Sequence, residues 1–402
     1  MELLAPAGNA EKLEVAYWYG ADAAYIGLGD FSLRQRADNV DPTDTALLAA
    51  ELTRIKGSRR LYGALNIYFQ ERDMVRLEEQ IDMIAGLPLD ALIISDLGIL
   101  PVIRRVMPGM ELHLSTQANC TNSEAARFYH DLGFARIVPA RELSLREIEG
   151  IKRAVPALEL ELFVHGAMCL AYSGRCLLSA WMAGRSGNRG DCAHSCRWNY
   201  RVGLEEQQRP GEFLPVEGGA GFTTIMSPKD LNMINHLREL RDAGADAIKI
   251  EGRVKSAYYA AIVTRAYRKE LDRMASGADP ASTRPFVDEL LNVSHREFST
   301  GFYFGDPDAV ETTEATYRQR YRFMGSVGRE VSAGRYALDV KNGFSAGSEI
   351  EFIGPDVAFI PDESFALYDP AGLRTEKVTH HAGGFIEPGV SVRPGYLIRC
   401  RK

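Results

Sequence analysis

The first 255 residues alternate short apolar runs with amphipathic stretches, and this alternation restricts the possible folds more than any other feature of the chain. Candidate strands are the runs 2–6, 23–27, 61–66, 91–96, 111–116, 136–140, 158–164 and 245–251. Helical stretches lie between them, the last at 229–243, and glycines such as Gly20 and Gly133 stand where helices should end. Alternating strands and helices predict parallel β/α units, and about eight such units most simply close into a TIM-like barrel.

A weak internal repeat supports the same architecture. The segment from Gly20 to Gly27, GADAAYIG, resembles the segment from Gly244 to Glu251, GADAIKIE. Each reads as a tight turn followed by a barrel strand.

Two regions interrupt this pattern. Residues 166–221 form a long insertion rich in cysteine, glycine and arginine, within which 200–205 and 213–216 read as a hairpin. After residue 316 short strands alternate with Gly, Pro and Asp turns, which predicts a small all-β, barrel-like domain. We therefore predict a barrel with its insertion at 1–255, a helical linker region at 256–316 and a C-terminal β domain at 317–402.

Bulk properties exclude several classes of protein. No apolar run approaches the roughly 20 residues that cross a bilayer, and the N-terminus lacks the features of a signal peptide, so we expect a cytoplasmic protein without a membrane partner. Six cysteines in such a chain do not indicate a disulfide framework. A net charge of -7 argues against non-specific coating of nucleic acid but allows one local basic surface.

The carboxyl ends of barrel strands face the active site, so the polar residues there are the candidate site residues. This set comprises Asn66, Asp96, Ser115, Gln117, Arg141, His165, Lys249, Glu251 and Arg253. Lys249, Glu251 and Arg253 alternate along one strand and should share a face. His165, Lys249 and Glu251 are the candidates for catalysis, although a core histidine and a salt-bridged strand end explain them about equally well.

Four cysteines, Cys169, Cys176, Cys192 and Cys196, lie together in the insertion among several arginines. Four thiolates suit zinc or an iron–sulfur cluster, and the spacing does not decide between them because neither pair is a CxxC knuckle. Buried apolar cysteines are a third reading. Cys120 and Cys400 read as small core residues.

Basic and aromatic residues interleave in two places, as they do where RNA bases are held by stacking and phosphates by cations. The first set is Arg253, Lys255, Arg265, Arg268, Lys269 and Arg273 with Tyr258, Tyr259 and Tyr267, and the second is Arg318, Arg320 and Arg322 with Tyr317 and Tyr321. A solvated helix face explains the first set nearly as well.

Several segments together resemble the signature of the collagenase-like peptidase U-32 family. They are 114–119, 161–169, 172–179, 188–198, 227–231, 249–253 and 294–303, and the resemblance covers essentially the whole chain. The sequence is most similar to the branch that hydroxylates the wobble uridine of tRNA at carbon 5 with the help of prephenate. That branch also carries an extra C-terminal β domain.

The resemblance implies a 4Fe–4S cluster on the four insertion cysteines, and it implies tRNA and prephenate as partners. One departure is Cys120, where the family leads us to expect an apolar or small residue, so its part in the ligand set stays open. Arginine binds carboxylates in a bidentate way, so a dicarboxylate favours it over lysine. The candidate anion-binding residues are Arg36, Arg141, Arg175 and Arg253, with Ser115 and Gln117 as hydrogen-bonding neighbours. Taken singly, each arginine is also explained by an ordinary ion pair.

Two other functions remain alternatives. A peptidase, as the family name suggests, needs one activated nucleophile, but the chain has no HExxH or GxSxG motif. The pairs Cys169 with His165 and Cys196 with His194 lie too close to other cysteines to single out one thiol. A non-catalytic RNA-binding factor braced by zinc is the second alternative.

Overall fold

A computed structural model describes residues 1–32, 45–168, 178–185, 191–198, 203–205, 213–215, 229–305, 318–380 and 383–402. The described chain forms two compact units. The barrel unit comprises 1–14, 22–254 and 296–317, and the C-terminal unit comprises 15–21, 255–295 and 318–402, less the residues outside the described ranges. The predicted domain limits at 255 and 316 stay a prediction. No described helix has the length and apolar character needed to cross a membrane.

Parallel strands close into the predicted TIM-like barrel. In chain order the strands up to the barrel's end are β1 (Glu2–Pro6), β2 (Ala23–Gly27), β3 (Arg60–Leu65), β4 (Ala91–Ile94), β5 (Glu111–Leu114), β6 (Arg136–Ile137), β7 (Glu159–Ala167), β8 (Gly203–Glu205), β9 (Phe213–Pro215), β10 (Asp230–Asn232), β11 (Ala247–Ile250) and β12 (Phe298–Ser299). The barrel order is β11-β1-β2-β3-β4-β5-β6-β7, and pairing of β11 with β7 closes it. Strand β10 pairs antiparallel with β7 and parallel with β12, and β8 and β9 form the predicted hairpin.

The described helices are α1 (Ala10–Trp18), α2 (Thr45–Lys56), α3 (Glu71–Ala85), α4 (Leu100–Val106), α5 (Ser123–Asp131), α6 (Leu145–Ala154), α7 (Leu178–Ala183), α8 (Leu237–Asp242), α9 (Ala257–Ser276) and α10 (Arg284–Asp288). Local sequence explains several of their starts. At α6 the Ser144 hydroxyl accepts the Glu147 amide at 3.4 Å while the Glu147 carboxylate accepts the Ser144 amide at 2.7 Å. This reciprocal capping satisfies two backbone donors that the helix itself leaves unpaired.

The Gly-Ala-Asp repeat has a structural cause. Asp22 accepts the Leu3 amide at 2.8 Å, and Asp246 accepts the Leu160 amide at 2.9 Å, so each aspartate joins the start of its own strand to a neighbouring strand. The glycine before Asp246, Gly244, has φ +98°, and a Cβ there would lie 2.4 Å from Lys152. The turn therefore requires glycine, and the repeat marks equivalent barrel corners.

The C-terminal unit contains the remaining strands. They are β13 (Tyr321–Ser332), β14 (Arg335–Val340), β15 (Phe344–Ser345), β16 (Ile350–Ile353), β17 (Ile360–Asp362), β18 (Ala366–Tyr368), β19 (Arg374–Thr375), β20 (Lys377–Val378), β21 (Phe385–Glu387) and β22 (Leu397–Arg401). From β13 to β22 the unit has strands and no helix among the described residues, as the predicted all-β domain requires. The main sheet has the order β17-β16-β22-β13-β14-β21-β18-β19, and β15 pairs with β20. Apolar side chains such as Val327, Phe352 and Ile398 form its core.

One buried arginine ties this sheet to the helices of its unit. Arg399 on β22 is 1% exposed and donates to Glu289, to the Tyr258 hydroxyl at 2.9 Å and to Glu351 at 2.6 Å. Glu289 follows α10, and Tyr258 lies on α9. Burial acts to lower the pKa of Arg399, but its bonds to Glu289 and Tyr258 and their charges together outweigh burial and raise that pKa. The guanidinium is therefore charged, and its hydrogen bonds go to partners within the unit.

The prediction of one helix at 229–243 is wrong. The structure has β10 at Asp230–Asn232 and only the short α8 at Leu237–Asp242. Asp230 accepts the Arg296 amide at 3.1 Å, and its strand extends the sheet beside β7. This tertiary pairing overrides the local helical pattern.

Replacement of Arg399 by methionine should destabilise the C-terminal unit. Glu289 would stay buried without its partner, which costs about 3–5 kcal/mol. Native-state hydrogen exchange should show the opening free energy of amides in β16 and β22 falling by that amount. Arg393→Met is the control, because Arg393 is exposed and its 3.4 Å contact with Asp356 contributes little. Equal effects of the two substitutions would contradict the role of the buried pair.

Candidate active site at the barrel mouth

A cavity opens at the carboxyl ends of the barrel strands, where a TIM-like barrel places its active site. It encloses about 470 Å³, including space open to solvent. Its lining is formed by Tyr25, Ala64, Asn66, Ile93, Ser115, Thr116, Gln117, Val138, Arg141, Phe163, Lys249, Glu251 and Arg253. Five of these residues lie on strands β2, β3, β4, β7 and β11, where the pleat alternation points them inward. The others lie in the segments that follow β3, β5, β6 and β11.

Lys249 stands at the base of this cavity and is held by a buried carboxylate. Its Nζ lies 2.8 Å from Glu161 Oε1 and 4.5 Å from the centre of the Tyr25 ring. Arg136 contacts the other oxygen of Glu161 at 3.1 Å and Glu2 at 2.6 Å. Burial acts to raise the pKa of Glu161, but the charges of Lys249 and Arg136 outweigh it and lower that pKa to about 2. The carboxylate is therefore ionised at neutral pH and fixes both cations.

Arg141 forms one wall of the cavity in a fixed orientation. Its carbon Cζ lies 3.7 Å from the centre of the Phe163 ring, and Nη1 donates to the Ala167 carbonyl at 2.8 Å. The opposite nitrogen, Nη2, is 3.9 Å from the Glu251 carboxylate. Stacking and one backbone bond hold the guanidinium plane, while the loose contact with Glu251 leaves its outer edge available to an anion.

Polar uncharged side chains complete the opposite side. The Asn66 amide nitrogen donates to Ser115 Oγ at 3.4 Å, and Ser115 is also the cap of a short helical turn at 116–118. The side-chain oxygen of Gln117 is buried and has no hydrogen-bond partner among the residues that the structure describes. A ligand that donates a hydrogen bond would satisfy this oxygen, because an unpaired buried acceptor is costly.

The cavity brings together most of the predicted site residues. Ser115, Gln117, Arg141, Lys249, Glu251 and Arg253 line it, and so does Asn66. His165 does not line it; the ring is buried on β7, 5.4 Å from that of Phe298. Arg36 and Arg175 lie outside the described residues, so their predicted roles stay predictions.

The cysteine quartet is only partly described. Cys169 and Cys176 fall outside the described ranges, while Cys192 and Cys196 are half-buried. The His194 amide donates to Cys192 Sγ at 3.3 Å, and Arg185 donates to the Cys192 carbonyl at 3.2 Å. Within the described chain no group of three or more potential ligand side chains is arranged to hold a metal ion. Amide donation to sulfur and the nearby guanidinium are typical of thiolate ligands.

The two remaining cysteines have different surroundings. Cys120 is buried, and burial raises the pKa of its thiol to about 11. A thiol with this pKa is neutral at physiological pH, as expected for a core residue. Cys400 is half-buried on β22.

The first predicted RNA-binding set is largely buried. Tyr258, Tyr259 and Tyr267 on α9 are each at most 3% exposed, and Arg265 donates to the Gly354 carbonyl at 2.7 Å. These side chains cannot stack on RNA bases, so that part of the prediction is wrong. The helix has two apolar sides because it packs within its unit, which a single amphipathic pattern does not reveal.

The family model described as peptidase family U32 matches residues 8–313, and the model of the U32 C-terminal domain matches residues 319–399. The chain belongs to peptidase family U32. The resemblance seen in the sequence is thereby confirmed.

The relatives of this chain carry names of more than one kind. The chain is 37% identical to tRNA hydroxylation protein P1 of Bacillus subtilis, over 94% of this chain and 89% of the relative. It is 34% identical to tRNA hydroxylation protein P of Escherichia coli, over 88% of this chain and 86% of the relative. It is also 33% identical to a protein named collagenase from Porphyromonas gingivalis, over 76% of this chain and 73% of the relative.

Sequence reasoning missed the apolar part of this U32 cavity. Tyr25, Ile93 and Phe163 line it from within strands rather than from strand ends. The alternation of inward positions along β2, β4 and β7 was the available signal, since every second strand residue faces the barrel axis.

Replacement of Lys249 by methionine should make stability depend differently on pH. The pKa of Glu161, about 2, lies below its unfolded value of about 4.3, so the ionised carboxylate stabilises the fold above that value and loses this effect as the pH falls toward 2. Without Lys249 we expect a loss of about 2–3 kcal/mol at pH 7 that shrinks as the pH falls below about 4.

Urea unfolding between pH 7 and pH 3 measures this difference. Lys341→Met is the control, because Lys341 lies on the surface beside Asp339 and should change stability by less than about 0.5 kcal/mol. A deficit in Lys249→Met that stays constant over the whole pH range would contradict the coupling to Glu161.

Proposed function

We propose that this U32 protein is an enzyme that hydroxylates tRNA, and that the reaction is prephenate-dependent 5-hydroxylation of the wobble uridine with a 4Fe–4S cluster. The names of the relatives from B. subtilis and E. coli support tRNA hydroxylation, because both align with at least 88% of this chain. The observation that carries the finer proposal is the convergence of Arg141, Lys249 and Arg253 on one cavity.

A dicarboxylate such as prephenate matches the charges of this cavity. Three cations line it against one carboxylate, Glu251, since Glu161 is already shared between Lys249 and Arg136 beneath. The guanidinium of Arg141 would bind one carboxylate in a bidentate way and release Glu251, whose contact is only 3.9 Å. Arg253 would face the second carboxylate.

The polar side of the cavity would orient the rest of the ligand. Ser115 can donate or accept, and the unpaired Gln117 oxygen accepts a donor such as a hydroxyl or a pyrimidine N–H. Tyr25, Ile93 and Phe163 exclude water from the apolar ring of a bound ligand. Lys249 and Glu251 line the cavity and are the candidates for moving protons at the reacting atoms, whereas His165 lies outside this lining.

The cluster is assigned to Cys169, Cys176, Cys192 and Cys196. The described half of this donor set fits, because Cys192 Sγ accepts an amide hydrogen bond and Arg185, itself paired with Asp191 at 2.9 Å, holds the Cys192 carbonyl. A bound 4Fe–4S cluster supplies one-electron redox chemistry. Four protein thiolates leave no iron open, so the ligand that reacts would be held by the barrel mouth itself.

Peptide hydrolysis is the second candidate function, favoured by the relative named collagenase. The cavity supports it less well. Among the described lining residues there is no cysteine or histidine, so no thiol–imidazole pair faces the cavity. Hydrolysis of denatured collagen by the purified protein would favour this candidate over hydroxylation.

Deletion of the gene should remove 5-hydroxyuridine derivatives from tRNA. Mass spectrometry of nucleosides from purified tRNA makes the measurement. The wild-type gene should restore the modification, whereas Arg141→Gln should restore at most about a tenth of it, because a charged hydrogen-bond pair contributes about 1.5–3 kcal/mol. Arg153→Gln, a change at an exposed helix residue, is the control and should restore it fully. Unchanged modification in the deletion strain would refute the proposal.

Substitution of Cys192 or Cys196 by alanine should abolish cluster binding. Anaerobically purified wild-type protein should contain about four irons and equal sulfide per chain, and each variant clearly less. Iron and sulfide analysis with visible absorption gives the result independently of activity. Cys400→Ala is the matched control and should keep the full iron content. A colourless wild-type protein that contains one zinc would instead identify a zinc-braced protein.

A further inference from the structure

A second cavity lies in the C-terminal unit, and cations surround it. It encloses about 1060 Å³, including space open to solvent. Arg322, Lys377, Arg401 and Lys402 line it, while Met324 and Phe344 form its buried floor. The cations come from three separate parts of the chain: the start of β13, strand β20, and the end of β22 with the residue that follows it. The proposed function above does not use this cavity, although Arg322 belongs to the second RNA-binding set that the sequence predicts.

Strand register concentrates this charge. Tyr321 on β13 is opposite Arg401 on β22, and the Lys402 amide donates to the Arg320 carbonyl at 3.0 Å. Arg320 therefore stands opposite Lys402, and Arg322, two residues further, shares the same face. We call Arg320, Arg322, Lys377, Arg401 and Lys402 the basic rim.

The basic rim is not neutralised within the described part of the protein. Like charges directly opposite each other across a strand pair are unfavourable. Within the described chain no carboxylate lies within ion-pair distance of Arg320, Arg322, Lys377 or Arg401, and Lys402 Nζ donates only to the uncharged Gln319 at 3.1 Å. A nearby carboxylate, Glu351, is already bound to Arg399 at 2.6 Å. An external polyanion would relieve this repulsion.

We propose that the basic rim binds the sugar-phosphate backbone of RNA, and that in the proposed function it holds part of the tRNA substrate. This second statement rests on the proposed function; the first does not. Exposed cations contact phosphates and position a nucleic acid without reading its sequence. In a chain with net charge -7, a local basic surface also orients the approach of RNA.

The chemistry of the surface favours RNA over a lipid membrane. Membrane surfaces are bound by cations together with exposed apolar side chains that insert among the lipids. Phe344 is only 4% exposed, and none of the exposed large apolar side chains in the described chain lines the cavity. The cavity offers charge and hydroxyl groups instead.

The test measures the salt dependence of tRNA binding by the full-length protein. The variant Arg320→Gln/Arg322→Gln/Lys402→Gln should bind unmodified tRNA at least about tenfold more weakly at low salt. Its slope of log affinity against log salt concentration should be shallower by about 2–3, because each lost phosphate contact removes about 0.7–0.9. Lys377→Gln alone, on β20, should lower the slope by about 1 and serves as the second variant.

A matched control removes the same charge elsewhere. Arg238→Gln/Arg284→Gln/Arg393→Gln also removes three exposed positive charges, so both triple variants make the net charge of -7 more negative by the same amount. The control should keep wild-type affinity within about twofold, and thermal unfolding should match wild type in both. Equal loss in both variants, or no loss in either, overturns the inference. Loss of binding to anionic phospholipid vesicles, but not to tRNA, in the rim variant overturns it as well.

Nucleoside analysis separates this inference from the proposed function. If the rim variant binds tRNA as wild type does and the deletion strain lacks the modified uridine, RNA binding by the basic rim is refuted and the proposed hydroxylation is supported. If the rim variant binds tRNA more weakly and the nucleosides of the deletion strain are unchanged, RNA binding by the basic rim is supported and the proposed hydroxylation is refuted.

Discussion

The barrel depends on one buried carboxylate, Glu161, which is shared by two cations. Arg136 approaches it at 3.1 Å from the amino-terminal end of the barrel, and Lys249 at 2.8 Å from the cavity side. Burying one of these charges without its partners would cost more free energy than the ion pairs contribute. The fold is therefore stable only when all three groups are ionised together. The same contact that fills the barrel interior therefore also orients an ammonium at the base of the cavity, and stability and site geometry share one cause.

The C-terminal unit also contains a buried ion pair, but this one fixes the sheet and does not orient a group in a cavity. Arg399 binds Glu289, Glu351 and Tyr258, which consumes its charge inside the unit. The basic rim begins only two residues further along β22, and among the described residues no carboxylate forms an ion pair with its cations. Along one strand, then, a cation with buried partners fixes the sheet, and exposed cations without them are available to an external ligand. This contrast distinguishes structural from binding residues better than their residue type does.

Much of the fold could be predicted because strand and helix patterns are local. The structure starts and ends β1 and β2 at the predicted residues, and the hairpin of β8 with β9 forms where the insertion predicted it. The helix predicted at 229–243 failed because β10 pairs with β7, a partner more than 60 residues distant. The tyrosines of α9 failed as RNA-binding residues for a related reason: burial is decided by packing partners, which a single periodic pattern does not name.

By itself the sequence determined the β/α rhythm, the polar strand ends and the clustering of four cysteines, because each is a matter of residue type and spacing. It also placed Arg141, Lys249 and Arg253 on strand ends that a closed barrel must bring to one side. Only the tertiary structure decided which of these charged groups are neutralised by partners within the protein. Glu161 sits 88 residues from Lys249, and Arg320 faces Lys402 only through strand register. Electrostatic energy depends on distance and burial in space, and neither can be read from the order of residues.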